Sequence, residues 1–199
     1  MFSLIVGFFE YLFRKDELHV LILGLDKAGK TNVLERLKAL FTSSTGLDPV
    51  KILPTVGLNV GRLDAFSHSF IFWDLGGQAG LRSIWDKYYN ESHAVVYVVD
   101  AASRARFEES KAALDRILGS GELYGAPLLI LANKQDIENV AGAQEVSDYF
   151  GIGKLDSRPC KVLPVCAYTG QGLKEGVEWL AESIRTSSRV ARLRVKHAR

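Results

Sequence analysis

Two uninterrupted apolar runs near the middle of the chain constrain its fold more than any other feature. They read Ala94–Asp100 (AVVYVVD) and 127–133 (PLLILAN), and neither alternates between apolar and polar residues. Strands with this composition are covered on both faces, as the inner strands of a parallel sheet are. The segment between the two runs has helical spacing, so together they predict a β-α-β unit.

The same alternation of β-rich runs and helical patterns extends along most of the chain. Strands are predicted at 19–24, 55–64, 69–74, 94–100, 128–133 and 161–166, and helices at 29–40, 81–89, 105–118, 143–150 and 172–188. The second and third strands are joined by a short loop and predict an antiparallel hairpin. We therefore expect an α/β fold with a six-stranded, mostly parallel sheet, helices on both faces, and ligands at the carboxyl ends of the strands.

The charge of the chain is distributed unevenly. Its 199 residues fit a single domain, and its two cysteines are too few for a disulfide framework. Residues 185–199 hold six Lys or Arg and no acid, which leaves 19 basic against 23 acidic residues in the remainder. A mildly acidic body argues against a nucleic-acid-binding domain. The basic segment 189–199 is interpreted either as a tail that touches anionic lipid or as a solvated end.

The first thirteen residues, Met1–Phe13, are strongly apolar. They are too short for a membrane span and lack the features of a secretory signal. As a helix they place one apolar face opposite a polar one, so residues 1–17 are predicted to form an amphipathic helix. Its apolar face could pack on the domain, lie in a membrane interface or dock on a partner.

A phosphate-binding pattern follows the first predicted strand. Gly24-x-x-x-x-Gly29-Lys30-Thr31 satisfies the P-loop pattern between a strand and a helix. Its glycines let backbone N–H groups face phosphate oxygens, its lysine is expected to reach the β- and γ-phosphates, and its threonine to ligate Mg²⁺. The predicted nucleotide-binding residues here are Gly24, Asp26, Lys27, Ala28, Gly29, Lys30, Thr31 and Asn32.

A second segment predicts which base is bound. Asn133-Lys134-Gln135-Asp136 ends an apolar strand and spells N-K-x-D. The Asp136 carboxylate can accept from both guanine N1–H and the exocyclic amine, whereas adenine would leave it buried and unpaired. Cys166-Ala167, at the end of the last predicted strand, resembles the S/C-A-x motif, which implies that its backbone N–H meets guanine O6. The chain is therefore predicted to bind GTP and GDP.

Two further segments are predicted to sense the γ-phosphate. Asp74 is expected to hold Mg²⁺, the N–H of Gly77 to meet the γ-phosphate, and Gln78 to orient the attacking water. Upstream, Thr55 can close on Mg²⁺ and the γ-phosphate. Loss of that phosphate would release both segments, which is an order–disorder switch.

In order along the chain, GLDKAGKT, PTVGLNV, WDLGGQ, LRSIWDKYY and LANKQD resemble motifs of the Arf family of small GTPases. The resemblance covers nearly the whole chain and is strongest to the Arf-related branch associated with the Golgi. It implies a P-loop small-GTPase fold, with a GTP-binding domain at 18–188 between the N-terminal helix 1–17 and the basic tail 189–199. It further implies a monomer that cycles between GDP and GTP to recruit effectors to Golgi membranes in vesicle trafficking. Exchange factors and activating proteins are implied as partners.

The resemblance also implies how the switch works. The hairpin between the two sensing segments shifts register and expels the N-terminal helix, while Leu58, Trp73, Trp85 and Tyr88 form an effector-binding surface. For Trp73 and Tyr88, core packing is the alternative. The protein is expected in the cytoplasm and, with GTP, on trans-Golgi membranes. Hydrolysis is expected to be slow and to need an arginine supplied by an activating protein.

The sequence departs from the family pattern at two positions. Phe2 stands where most members carry the glycine that is myristoylated, which excludes that anchor. In the Arf-related branch a bulky second residue instead goes with N-terminal acetylation and docking on a membrane-protein receptor. Asn32 replaces the usual threonine and could still donate to the α-phosphate. Two rivals remain at this point: a small-molecule P-loop kinase, and a scaffold that binds GTP but hardly hydrolyses it.

Overall fold

A computed structural model describes residues 16–42 and 52–197, with side chains described as far as Leu193. The predicted N-terminal amphipathic segment, Met1–Phe13, lies outside these residues. Among the described residues, no helix combines the length and apolar character that crossing a bilayer requires.

Six strands form one sheet, in the order β2-β3-β1-β4-β5-β6. The strands are β1 (Glu17–Leu23), β2 (Leu58–Ala65), β3 (His68–Leu75), β4 (Ala94–Asp100), β5 (Leu128–Asn133) and β6 (Cys160–Pro164). Only β2 and β3 pair antiparallel, and the other four pairings are parallel. The predicted α/β fold with a mostly parallel six-stranded sheet is confirmed.

Helices cover both faces of this sheet. They are α1 (Lys30–Phe41), α2 (Phe107–Leu118), α3 (Ala143–Phe150), α4 (Leu173–Thr186) and α5 (Ser188–His197). Alternate residues of the strands enter opposite cores, as the period of two requires: Val20 and Ile22 pack with α1 and α4, whereas Leu21 and Leu23 pack with α2 and α3. This two-sided burial explains why AVVYVVD and LLILAN are apolar throughout.

Two predicted elements differ from the structure on the switch side of the sheet. β2 begins at Leu58 and not at Thr55. Gly57 has φ +85°, which turns the chain away from the sheet, and the Thr55 hydroxyl binds Thr31 and Asp74 instead of following the strand. The helix predicted at 81–89 is a 3₁₀ segment, Ala79–Glu91. Its Trp85 indole donates to the carbonyl of Gly76 (3.0 Å), which holds the segment close to the end of β3.

The single helix predicted at 172–188 is two helices. Ser187 has extended backbone angles, and its hydroxyl donates to the Ile184 carbonyl, so α4 ends there and α5 begins in a new direction. Arg189 and Leu193 of α5 are buried. The first part of the segment expected as a basic tail therefore packs on the domain, and the domain extends beyond the boundary expected at residue 188.

Candidate functional site

The turn between β1 and α1 is shaped by close backbone approaches. A Cβ placed on Gly29, which has φ +94°, would lie 2.4 Å from Nδ2 of Asn133, so only glycine fits there. The ammonium of Lys30 is buried and donates to the Leu25 carbonyl at 2.8 Å. Burial lowers the pKa of Lys30 to about 8, although Asp74 and Asp26 favour its charged form. The turn thus holds a buried ammonium poised for an anionic ligand.

Three oxygen-bearing side chains converge beside this turn. The Thr31 hydroxyl lies 2.7 Å from Oδ2 of Asp74 and 2.7 Å from the Thr55 hydroxyl, which is itself 3.2 Å from the same carboxylate oxygen. Asp74 is fully buried, its Oδ1 has no hydrogen-bond partner among the described residues, and burial raises its pKa despite its bonds to the two threonines. Two hydroxyls and a buried, underused carboxylate suit a hard cation such as Mg²⁺.

Gly77, three residues after Asp74, lies against the P-loop. A Cβ on Gly77 would lie 2.4 Å from the carbonyl of Gly24, so its backbone lies directly against the phosphate-binding turn. Gln78 follows, exposed, at the start of the 3₁₀ segment. Arg82 donates through Nε to the Gly77 carbonyl (2.8 Å) and through Nη2 to Glu109 (2.6 Å). The guanidinium of Arg82 is thus engaged by the Gly77 carbonyl and the Glu109 carboxylate.

The predicted base-binding end is linked together by buried hydrogen bonds. Asn133, which is 2% exposed, donates to the Ala28 carbonyl at 2.8 Å and accepts from the Ala167 N–H at 2.9 Å. It therefore joins the P-loop to the loop after β6. The thiol of Cys166 donates to Oδ1 of Asp136 at 3.2 Å, which holds the carboxylate at the edge of the sheet. These buried bonds fix the backbone and the side chains at this end of the site.

A cavity of about 430 Å³ joins many of the predicted residues. Its lining includes Asp26, Lys27, Gly29, Lys30, Thr31, Asn32, Thr55, Gly77, Gln78 and Lys134. Gly24, Ala28 and Asp74 are buried behind it, and Asn133, Asp136, Cys166 and Ala167 lie at the adjoining ends of β5 and β6. The structure gathers all of them at one edge of the sheet, the carboxyl ends of its parallel strands.

The predicted effector surface is smaller than expected. Leu58 is exposed, and Trp73 and Tyr88 are partly buried with their rings 5.6 Å apart, edge to face. Trp85 is only 3% exposed. It packs inside because its indole N–H binds the Gly76 carbonyl, so the prediction that Trp85 offers surface is wrong. Exposed Val60, two residues from Leu58 on the same face of β2, extends the patch instead.

The sequence reasoning missed two charged residues that fix predicted site residues in place, Asp100 and Arg106. Asp100 binds the Lys134 ammonium at 2.6 Å. Arg106 donates to the carbonyl and carboxylate of Asp26, at 2.8 and 2.7 Å. Burial raises the pKa of Asp26, but the hydrogen bond and charge of Arg106 outweigh this and the pKa lies below its usual value. Of these residues, only Asp100 could have been predicted from the sequence, because it ends an apolar strand at the edge of the sheet where the site lies.

Known proteins resemble the chain at the level of sequence. The profile of the ADP-ribosylation factor family matches residues 5–184. Human ADP-ribosylation factor-related protein 1 is 43% identical over 187 residues, which cover 92% of this chain and 93% of that protein. ADP-ribosylation factor-like protein 3 of Saccharomyces cerevisiae is 39% identical over 184 residues, covering 90% and 92%.

A solved structure resembles the fold. It is that of the Arl6 BBS3 small GTPase from Trypanosoma brucei with the bound nucleotide analogue GppNp. The TM-score is 0.76 at 27% identity, over 86% of this chain and 99% of that one.

Proposed function

Because the chain belongs to the ADP-ribosylation factor family of small GTPases, we propose that it is a switch that GTP recruits to Golgi membranes, where it binds effectors in vesicle trafficking. As a member of that family it binds guanine nucleotide and hydrolyses GTP. The observation that carries the proposal is the convergence of Thr31, Thr55 and Asp74. It brings a threonine from an exposed loop within hydrogen-bond distance of Thr31 and Asp74, and this supports our proposal that Thr55 closes on Mg²⁺ and the third phosphate.

The proposed site divides into two parts. At the base end, Asp136 is proposed to accept from guanine N1–H and the exocyclic amine, and Lys134 to cover the base. The two backbone N–H groups expected to meet O6 donate within the chain, that of Ala167 to Asn133 and that of Cys166 to the Gln171 carbonyl. Asn133 fixes this end to the P-loop. At the phosphate end, the ammonium of Lys30 leaves the Leu25 carbonyl for the β- and γ-phosphates, and the side chain of Asn32 donates to the α-phosphate.

Thr31, Thr55 and Asp74 are proposed to hold Mg²⁺, the last of these through water. The ion, when bound, supplies positive charge at the β- and γ-phosphate oxygens. Oδ2 of Asp74 binds the two hydroxyls and Oδ1 has no hydrogen-bond partner among the described residues, and the burial of the carboxylate strengthens any interaction with a cation. The Gly77 N–H is proposed to donate to the γ-phosphate.

Gln78 is proposed to orient the attacking water. It is exposed and follows Gly77 directly, so its amide can reach the open side of the cavity. Arg82 binds Gly77 and Glu109, and Arg106 binds Asp26 and Glu109, so neither of these two arginines is free to stabilise the transition state. Intrinsic hydrolysis should therefore be slow, and an arginine from an activating partner would raise the rate by about 10³–10⁵.

The output is proposed to be a register shift of the β2–β3 hairpin. In the observed register Leu58 faces Leu75, and the N–H of Gly76 binds the Gly57 carbonyl. A slip of two residues keeps each side chain on its face and moves Thr55 about 7 Å from Asp74. The other end of the hairpin, at His68, borders a cavity of about 310 Å³ that Asp16 also lines. A shift of the hairpin would therefore change the shape of this cavity, next to the point where the N-terminal segment joins the domain.

Membrane binding in each nucleotide state tests the proposal. The full-length protein would be loaded with GDP or a non-hydrolysable GTP analogue and sedimented with Golgi membranes, with and without Met1–Phe13. We expect the GTP form to bind preferentially and truncation to abolish this preference. Protease-treated membranes show whether a membrane-protein receptor is needed. Equal binding of both forms would reject the N-terminal segment as the output of the switch.

A GTP-binding scaffold that hardly hydrolyses GTP is the second candidate, because both nearby arginines are already engaged. Single-turnover hydrolysis with and without candidate activating proteins separates the two. Stimulated turnover supports the cycling switch, and its absence with every activator of the family supports the scaffold.

A further inference from the structure

Two backbone carbonyls next to Gln78 are held by side chains of the 3₁₀ segment that follows them. Trp85 donates to the Gly76 carbonyl at 3.0 Å, and Arg82 donates through Nε to the Gly77 carbonyl at 2.8 Å. In a trans peptide the N–H points away from the C=O of the same peptide group. The Trp85 bond therefore orients the N–H of Gly77, and the Arg82 bond orients the peptide group that leads into Gln78.

Arg82 is in turn held by a carboxylate on another helix. Its Nη2 donates to Oε1 of Glu109, in the first turn of α2, at 2.6 Å. The guanidinium thus spans from the Gly77 carbonyl to the Glu109 carboxylate. Because a guanidinium is planar and its donors have a fixed geometry, the position of Glu109 determines how Nε of Arg82 meets the Gly77 carbonyl.

The other oxygen of Glu109 binds a second arginine, on the phosphate side of the site. Arg106 donates to Oε2 of Glu109 through Nε and Nη2, at 3.2 and 3.1 Å. The same guanidinium donates to the carbonyl and the carboxylate of Asp26 in the P-loop, at 2.8 and 2.7 Å. One carboxylate group therefore connects the P-loop to the backbone at Gln78.

The two contacts of Glu109 require an ionised carboxylate. The hydrogen bond from Arg82 lowers the pKa of this carboxyl more than burial raises it, and Arg106 lowers it further. A carboxylate accepts through both oxygens, whereas an amide of the same shape accepts through one atom and donates through the other. Glu108 lies in the same turn of α2, but it is exposed and forms no ion pair within the described part of the chain. The two glutamates therefore differ in their contacts and not in their charge.

We propose that Glu109 is a positioning residue for GTP hydrolysis, which holds the backbone at Gln78 in a fixed relation to the P-loop. This rests on the water-orienting role proposed for Gln78. The water oxygen bonds to the γ-phosphorus as the bond to the β–γ bridging oxygen breaks, and the released phosphate takes up the water proton. The water is placed from the Gln78 side and the phosphate by the P-loop, so a carboxylate that ties the two together sets their alignment.

The test compares Glu109→Gln with Glu108→Gln, a matched control that removes the same charge from the same turn of α2. Each full-length protein is loaded with GTP and Mg²⁺ for single-turnover hydrolysis, and dissociation of GDP and of a non-hydrolysable GTP analogue is measured in parallel. We expect Glu109→Gln to slow hydrolysis about 10-fold through misalignment, and to leave both dissociation rates within about twofold of wild type. Exposed ion pairs add little stability, so its thermal unfolding should also match wild type. The control should match wild type throughout.

A double variant tests whether Glu109 acts through Gln78. Adding Glu109→Gln to Gln78→Leu should slow hydrolysis no further than Gln78→Leu alone, because the group that Glu109 positions is already gone. Arg82→Gln should slow hydrolysis as Glu109→Gln does, and the two changes together should cost no more than either, since they break one chain of contacts.

The proposal is overturned if Glu109→Gln hydrolyses GTP at the wild-type rate, if Glu108→Gln is equally slow, or if the double variant is slower than Gln78→Leu. Faster hydrolysis in Glu109→Gln would also reject it, by showing that Glu109 restrains Arg82 from the phosphate. Faster dissociation of both nucleotides would assign Glu109 to support of the whole site instead. Failure of the proposed function is seen separately, as wild-type hydrolysis in the Gln78→Leu variant itself.

Discussion

The two ends of the nucleotide site are built differently. At the base end, Asn133 is 2% exposed and bridges the P-loop to the loop after β6, and Lys134 is anchored by Asp100. At the phosphate end, the loop before β2 exposes Leu53 (82%) and Val56 (79%) and is tied to the site through Thr55. One end is assembled by the fold, whereas the other closes through a few polar contacts.

The difference follows from what each end must do. A base present in both nucleotides is best met by groups already in place, because ordering them on binding would cost affinity. A loop that changes position when the γ-phosphate is present must instead have little stability of its own, so that a few contacts determine where it lies. Thr55 meets this condition, since its partners Thr31 and Asp74 also face the proposed Mg²⁺ site.

The largest expected effect comes from breaking the base end. Asn133→Ala leaves the Ala28 carbonyl and the Ala167 N–H without their partner, at about 1–3 kcal/mol for each buried group. We expect GDP and GTP both to dissociate roughly 10²–10³-fold faster, measured with fluorescent nucleotides. Asn90→Ala, at an exposed asparagine, is the control and should leave both rates unchanged. An effect on only one nucleotide would contradict the view that this end is common to both states.

The next test removes the proposed water-orienting group at the other end. Gln78→Leu should lower single-turnover hydrolysis by about 10–100-fold, the cost of a misplaced nucleophile, and leave GDP affinity unchanged. Gln144→Leu, on the exposed face of α3, should behave as wild type. If Gln78→Leu hydrolyses GTP as fast as wild type, with and without an activating protein, the residue has no catalytic role.

The sequence predicts the base end and the P-loop better than the switch segments. Strand ends such as Asn133 and the β1–α1 turn are fixed by buried apolar runs whose pattern is visible in the sequence. The start of β2 and the 3₁₀ winding of 79–91 depend on tertiary contacts, namely Thr55 with Asp74 and Trp85 with Gly76. The hydrophobic periodicity of the sequence does not predict such contacts.

The C-terminal helix shows the same limit. Six basic residues in fifteen indicate a charged end, but nothing in their spacing shows that Arg189 turns inward onto three carbonyls. Arg106 was equally hidden, because its partner Asp26 lies 80 residues away. Long-range polar contacts of this kind can be identified only once the three-dimensional structure is known.

A third prediction concerns pH and the phosphate end. Burial sets the pKa of Lys30 to about 8 without nucleotide, and bound phosphates would raise it. The affinity that this charge contributes is therefore fully present below pH 8 and is lost as pH rises above it, by roughly tenfold between pH 7 and 9. Equilibrium titrations of GDP across this range would measure the loss. A Lys30→Arg variant stays charged, so its affinity should fall less, and parallel curves would exclude Lys30 as the titrating group.

The smallest expected effect tests the phosphate end alone. Thr55→Ala removes the hydroxyl that meets Thr31 and Asp74 only when the loop is closed. GDP dissociation should stay unchanged, while preference for a non-hydrolysable GTP analogue over GDP should fall about 3–10-fold, from one hydrogen bond of roughly 0.5–1.5 kcal/mol. Thr55→Ser keeps the hydroxyl and should retain the preference. A Thr55→Ala variant that weakens both nucleotides equally would mean that the loop supports the whole site, and the contrast between the two ends would then fail.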